Sequence, residues 1–134
     1  MTREEFCSIP LTEMRIRILK QSIAALRTLA TSLSAPLGGD RVQSSGTSDR
    51  VGRIVADIAD AEADMEKDIQ RLARLRLEAL ELIRTLPEPD QSIMRLRYIV
   101  GMTWERVAEE ADYDERYVYK IGHRALDLLF SIEH

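Results

Sequence analysis

The chain has a single cysteine, Cys7, so it has no internal disulfide and a reduced, cytoplasmic setting is the expectation. It has no run of about 18 or more apolar residues, which excludes a transmembrane helix on length and leaves no membrane partner expected. The N-terminal MTREEFCSIP has no apolar stretch and carries acids early, unlike a secretory signal. A basic excess is also missing: the formal net charge is −4, with residues 1–30 slightly basic and residues 51–90 and 91–134 acidic. No block is a basic patch, so sequence-independent attraction to phosphate is weak, which argues against a DNA-coating protein. There is no glycine-rich phosphate loop and no nucleophile with a neighbouring base. Cys and His are not set at metal-ligand spacing, and His123 stands apart from the terminal His134. We therefore expect no enzyme, no cofactor and no metal.

What the chain does have is helical periodicity. Ser8-Ile9-Pro10 reads as a helix start, with Pro10 in the first turn where its missing N–H does no harm. Leu11, Met14, Ile18, Ile23, Leu26, Leu29 and Leu33 then recur mostly at three- and four-residue steps, predicting one buried stripe. Pro36, Gly38 and Gly39 end this helix. A linker follows at about residues 35–48, rich in Ser and Gly; Val42-Gln43-Ser44-Ser45 within it reads either as flexible loop or as an ordered contact segment.

A second, longer helix is expected after Thr47-Ser48, either of which can cap it. Val51, Ile54/Val55, Ile58, Ala61, Met65, Ile69, Leu72, Leu75, Ala79, Leu82 and Leu86 give a heptad-like seam. Such a helix spans roughly 55 Å and cannot bury its stripe alone. The first helix folding back on it, or a second copy of the chain forming a homodimer, would cover it. The expected fold is all-α: a long antiparallel, coiled-coil-like hairpin arm over residues 1–86, followed by a small module over residues 87–134.

LPEPD, residues 86–90, ends the long helix, and every aromatic residue except Phe6 lies beyond it. Three short helices are expected there. The first runs from Gln91 to Val100 and ends at Gly101. The second, capped by Thr103, runs from Trp104 to about Ala111. After a turn at Asp112-Tyr113, the third is capped by Asp114 and runs to about Leu129 or Phe130. Val107, Ala108, Ala111, Tyr113, Val118 and Ile121 fall on inward positions, with Ala108 small where two helices would cross.

The strings MRLRYIVG, MTWERVAEEA, DYD and ERYVYKIGHRALDLL resemble region four of bacterial sigma factors, the helix-turn-helix that reads the promoter −35 element. The resemblance covers about 40 residues. The whole chain also resembles short phage and prophage proteins of mostly unknown function, in which a helical arm and a VQSS-like segment precede such a module. Two positions depart from the sigma pattern. Asp112 stands where the turn usually has Gly, and Asp tolerates the left-handed conformation better than most residues. Glu115 stands where the recognition helix often begins with a base.

The resemblance implies that the third helix enters the major groove of double-stranded DNA. Its outward residues are Glu115, Arg116, Tyr119, Lys120, His123 and Arg124. Arg116 and Lys120 suit guanine O6 and N7, and Glu115 suits cytosine N4. Tyr119 offers its ring to a thymine methyl and its hydroxyl to phosphate, and Arg124 is placed for the backbone. Thr103 begins a helix whose N–H groups can hold a phosphate, and Arg95 and Arg97 are candidate phosphate contacts. Each has a plainer reading: surface ion pairs for Arg116 and Lys120, helix-start stabilisation for Glu115, a core or edge position for Trp104. Two functions follow. One is a sequence-specific transcriptional regulator of phage type, acting with RNA polymerase. The other is a protein-interaction adaptor working through the arm, polymerase-binding or like a DNA-packaging small subunit.

Overall fold

A computed structural model describes residues 1–34 and 45–131, and all regular structure among them is helical. The elements are α1 (Arg3–Cys7), α2 (Ile9–Ser34), α3 (Ser45–Ile83), α4 (Asp90–Met94), α5 (Trp104–Ala111) and α6 (Glu115–Phe130), with α4 continuing into a π-helical turn, Arg95–Val100. Most of the expected linker, including Val42-Gln43-Ser44, lies outside the described residues.

The described chain divides into two compact units, Met1–Glu13 with Gln70–His134, and Met14–Ile69. The division does not fall at residue 86, where composition changes. Instead the N-terminal residues and the last part of α3 belong with the C-terminal helices.

In the unit Met14–Ile69, the residues of α2 withdrawn from water are Ile16, Leu19, Ile23, Leu26, Ala30 and Leu33. On α3 they are Thr47, Val51, Ile54, Ile58, Ala61, Met65 and Asp68. Every step is three or four residues, the spacing of a helix–helix seam. Arg15 pairs with Asp68 at 2.7 Å and Arg27 with Glu62 at 3.5 Å, so the two segments run antiparallel. The expected stripe is partly displaced: Leu11, Met14, Ile18 and Leu29 are about half exposed. α2 carries two apolar tracks side by side, and the buried one continues at heptad spacing from Ile9 and Thr12. On α3, Ile69 and Val55 are likewise exposed, and the seam passes through buried Asp68. A carboxylate there needs a partner, which Arg15 supplies.

The other unit begins with α1, a helix not anticipated, whose N-terminus is closed by Thr2 Oγ1 accepting from the Glu5 N–H at 3.1 Å. Its purpose is to seat Phe6, which lies wholly buried between the rings of Tyr98 and Phe130, with centroids 4.5 and 5.6 Å away. Ile9, Leu72, Leu75, Ala79, Ile83 and Leu86 extend the same apolar interior. α3 itself starts at Ser45, two residues before the expected caps, so that Thr47 and Ser48 fall within its first turn. The helix expected from Gln91 to Val100 starts at Asp90, one residue earlier, and widens after Met94, where the Gly101 N–H reaches back to the Leu96 carbonyl at 3.1 Å. Such a turn frees backbone carbonyls. The Tyr98 carbonyl accepts from Arg76 Nε at 3.2 Å, and the same guanidinium pairs with Glu13 at 2.8 Å. Gly101 closes the turn at φ 91°, with the Glu13 carboxylate 2.5 Å from where a Cβ would stand. Only glycine satisfies both demands.

Candidate nucleic-acid interface

The helix pair α5–α6 is built as its sequence predicts. Thr103 Oγ1 accepts from the Arg106 N–H at 3.2 Å and caps α5. α5 ends in a Schellman turn: the Tyr113 N–H donates to the Ala108 carbonyl at 3.0 Å and the Asp112 N–H to that of Glu109 at 3.3 Å. The turn requires a left-handed residue, and Asp112 takes that conformation at φ 58°, ψ 46°. Asp114 then stands at the N-cap of α6 with extended backbone, though its side chain makes no capping hydrogen bond.

Behind this pair lies a small core of Ile93, Val107, Ala108, Val118 and Ile121, flanked by Leu96, Met102, Trp104 and Ala111. Four of the six expected inward residues are fully buried there and Ala111 is partly so. Tyr113 is not: it is 42% exposed and its ring lies 5.1 Å from that of Tyr117. The left-handed step at Asp112 turns the chain outward before Tyr113, so helical spacing carried across the turn misplaced it. Sequence reading also passed over Gly122. A Cβ there would come within 2.6 Å of the Trp104 ring, so the close approach of α5 and α6 depends on its absence.

The buried side of α6 is Val118, Ile121, Gly122, Ala125 and Leu126. Opposite them, at three- and four-residue steps, are Arg116, Lys120 and His123, all exposed. Neither Arg116 nor Lys120 makes an ion pair among the described residues. Glu115 is exposed in the first turn of α6, where its charge suits the helix dipole. Of the three acids of α5, Glu109 and Glu110 are directed to Arg106, at 3.4 and 4.0 Å, while Glu105 is exposed in the first turn.

The other expected contacts are placed differently. Tyr119 lies on one flank of α6, its ring 5.6 Å from that of Trp104, and remains 42% exposed. Arg124 is on the other flank, where Nε donates to Asp90 at 3.1 Å and Nη2 to its second carboxylate oxygen. Asp90 is almost entirely buried, so Arg124 is committed to neutralising it, and this fork holds the guanidinium firmly protonated. Arg97 donates to the Met102 carbonyl at 3.0 Å and stacks over Trp104 at 5.1 Å, while Arg95 reaches Gln91 at 3.3 Å. Both are half-buried, and the Nε atoms of both are buried without a hydrogen-bond partner among the described residues. Arg124 and Arg97 thus bridge helices, while Arg95 bonds along its own run of helix. Of the basic side chains of α6, Arg116, Lys120 and His123 are the ones left facing water without an ion pair among the described residues. Among the described residues no three His, Cys, Asp or Glu side chains come together as metal ligands, and no helix is long and apolar enough to cross a membrane.

Comparison of the chain with protein-family models, with curated proteins and with solved structures finds no match.

Proposed function

We propose that this protein is a sequence-specific DNA-binding transcriptional regulator, of the sigma-region-four-like kind found in phages, that inserts α6 into the major groove. The observation that carries the reading is the outward row Arg116, Lys120 and His123, with Arg116 and Lys120 in no ion pair among the described residues, on a helix whose opposite side is locked into the core. A free arginine or lysine at the start of such a helix can donate to guanine O6 and N7, while the exposed start of α5 at Thr103 faces a phosphate. Arg116 and Lys120 offset the formal net charge of −4 locally, and Glu109 and Glu110 of α5 are directed to Arg106. RNA polymerase is the proposed protein partner, by resemblance to sigma factors.

The test is selection of bound fragments from sheared host and prophage DNA by the purified chain, with Arg116→Ala/Lys120→Ala beside it. We expect the wild type to enrich a shared motif and the folded double variant to enrich none. Binding should weaken steeply with added salt. Equal enrichment by both proteins would overturn the proposal.

The adaptor reading has its own support in the exposed apolar residues Met14, Ile18, Leu29, Val55 and Ile69 of the unit Met14–Ile69. Apolar surface of this kind on a helical arm suits a protein partner or a second copy of the chain. Sedimentation of the wild type against Ile18→Asp separates a homodimer from a monomer.

A further inference from the structure

A second feature of the α6 surface is independent of its bases. Tyr113 and Tyr117 form an aromatic pair, rings 5.1 Å apart at 56°, each more than 40% exposed. Tyr117 lies in the first turn of α6, and together with Asp114, Arg116 and Lys120 it lines one shallow cleft. Neither ring is used by the core of this unit, which is formed without them. The two tyrosines at the N-terminal end of the helix are 42% and 41% exposed, so both rings are accessible to a partner.

The cleft is mixed in charge, with the Asp114 carboxylate beside the Arg116 and Lys120 cations, so charge alone does not select its partner. What the two exposed rings themselves offer is an apolar face, and an apolar group is what can pack against it. In the major groove the one apolar group on a base edge is the C5-methyl of a pyrimidine. The residues at the start of a recognition helix are those that reach base edges. Tyr119, the ring that sequence reading assigned to this task, is instead on the opposite flank against Trp104.

We infer that Tyr117, backed by Tyr113, is a specificity-determining residue that reads the C5-methyl of a pyrimidine next to the base pair engaged by Arg116. The inference rests on the DNA-reading function proposed above. The partner is thymine, or 5-methylcytosine, which offers the same methyl group.

The experiment uses the full chain and a duplex carrying the motif found by selection. Each thymine in turn is replaced by deoxyuridine, which removes only the methyl, and each cytosine by 5-methylcytosine. For the wild type, one or two thymine replacements should weaken binding about fourfold, the worth of one buried methyl. In Tyr117→Ala the same replacements should cost nothing further, while Tyr117→Phe should keep the penalty, since the ring and not the hydroxyl makes the contact. A methyl effect seen only at cytosine would identify 5-methylcytosine as the ligand. Wild-type binding indifferent to every methyl, or a penalty that persists in Tyr117→Ala, would overturn the inference while leaving the DNA reader standing. If no duplex is selected at all, the DNA-reading function falls and this inference with it.

Discussion

Arg124 reaches from α6 to both carboxylate oxygens of Asp90 at the start of α4, and so ties the candidate recognition helix to the first helix of the C-terminal module. Asp90 is 1% exposed, whereas Arg124 keeps much of its side chain in water. Removing the arginine leaves a buried carboxylate without a counter-charge; removing both leaves only a change of packing. Arg124→Ala should therefore lower the thermal midpoint clearly, and Arg124→Met with Asp90→Leu should recover most of the loss. A single variant as stable as the wild type in thermal melts would show that the pair does not hold α6.

Two helical glycines should respond to alanine with opposite sign. Gly122→Ala drives a methyl into the Trp104 ring, 2.6 Å away, and should cost about 1–3 kcal/mol. Gly52→Ala, with nothing within 4 Å, should gain up to about 1 kcal/mol from helix propensity alone. Urea denaturation of the two variants measures both. Trp104 fluorescence should change only in the first.

Phe6 is wholly buried against Tyr98 and Phe130, so the first helix is part of the C-terminal unit. Phe6→Ala should cost about 3 kcal/mol or more. The loss should also loosen amides of α6, which hydrogen exchange would show. Exchange confined to residues 1–13 would mean that α1 is a detachable appendage.

Tyr98 supplies a pH dependence. Burial pushes its phenol up from 10.0 to about 12, against the smaller opposing pull of Arg97. The unfolded phenol ionises above about pH 10 while the folded one stays neutral, so the unfolded state then holds fewer protons and stability falls as pH rises. The window runs from about pH 10 to about 12, with roughly 1 kcal/mol lost by pH 11. Tyr98→Phe should remove this part of the alkaline loss when urea midpoints at pH 9 and pH 11 are compared. The same slope in both proteins would assign it to other groups.

Local signals carried much of the architecture. The α5–turn–α6 element was legible because each of its requirements is met within a few residues: a threonine at the cap, a left-handed aspartate in the turn, and apolar residues at helical spacing. The seam of α3 was legible for the same reason, apart from one step. Periodicity ranks Ile69 above Asp68, and only the presence of Arg15 makes the carboxylate the buried choice. On α2 the periodicity was satisfied twice, and residues far along the chain select between the two tracks. The candidate site divides in the same way. Exposure of Arg116, Lys120 and His123 follows from helical geometry, whereas Arg124 is claimed by Asp90, 34 residues away.

The sequence by itself determined that this chain is helical, to within a residue or so where α5 and α6 begin and end, and that Val118 and Ile121 turn inward while Arg116, Lys120 and His123 turn outward. These follow from interactions between residues three to five apart, which any window of sequence contains. The tertiary structure alone decided that Phe6 belongs with Tyr98 and Phe130, that Glu13 and Arg76 close the π-helical turn, and that Tyr113 pairs outside the core with Tyr117. Such pairings depend on which distant groups come within contact distance once the chain is packed, and no periodicity encodes that.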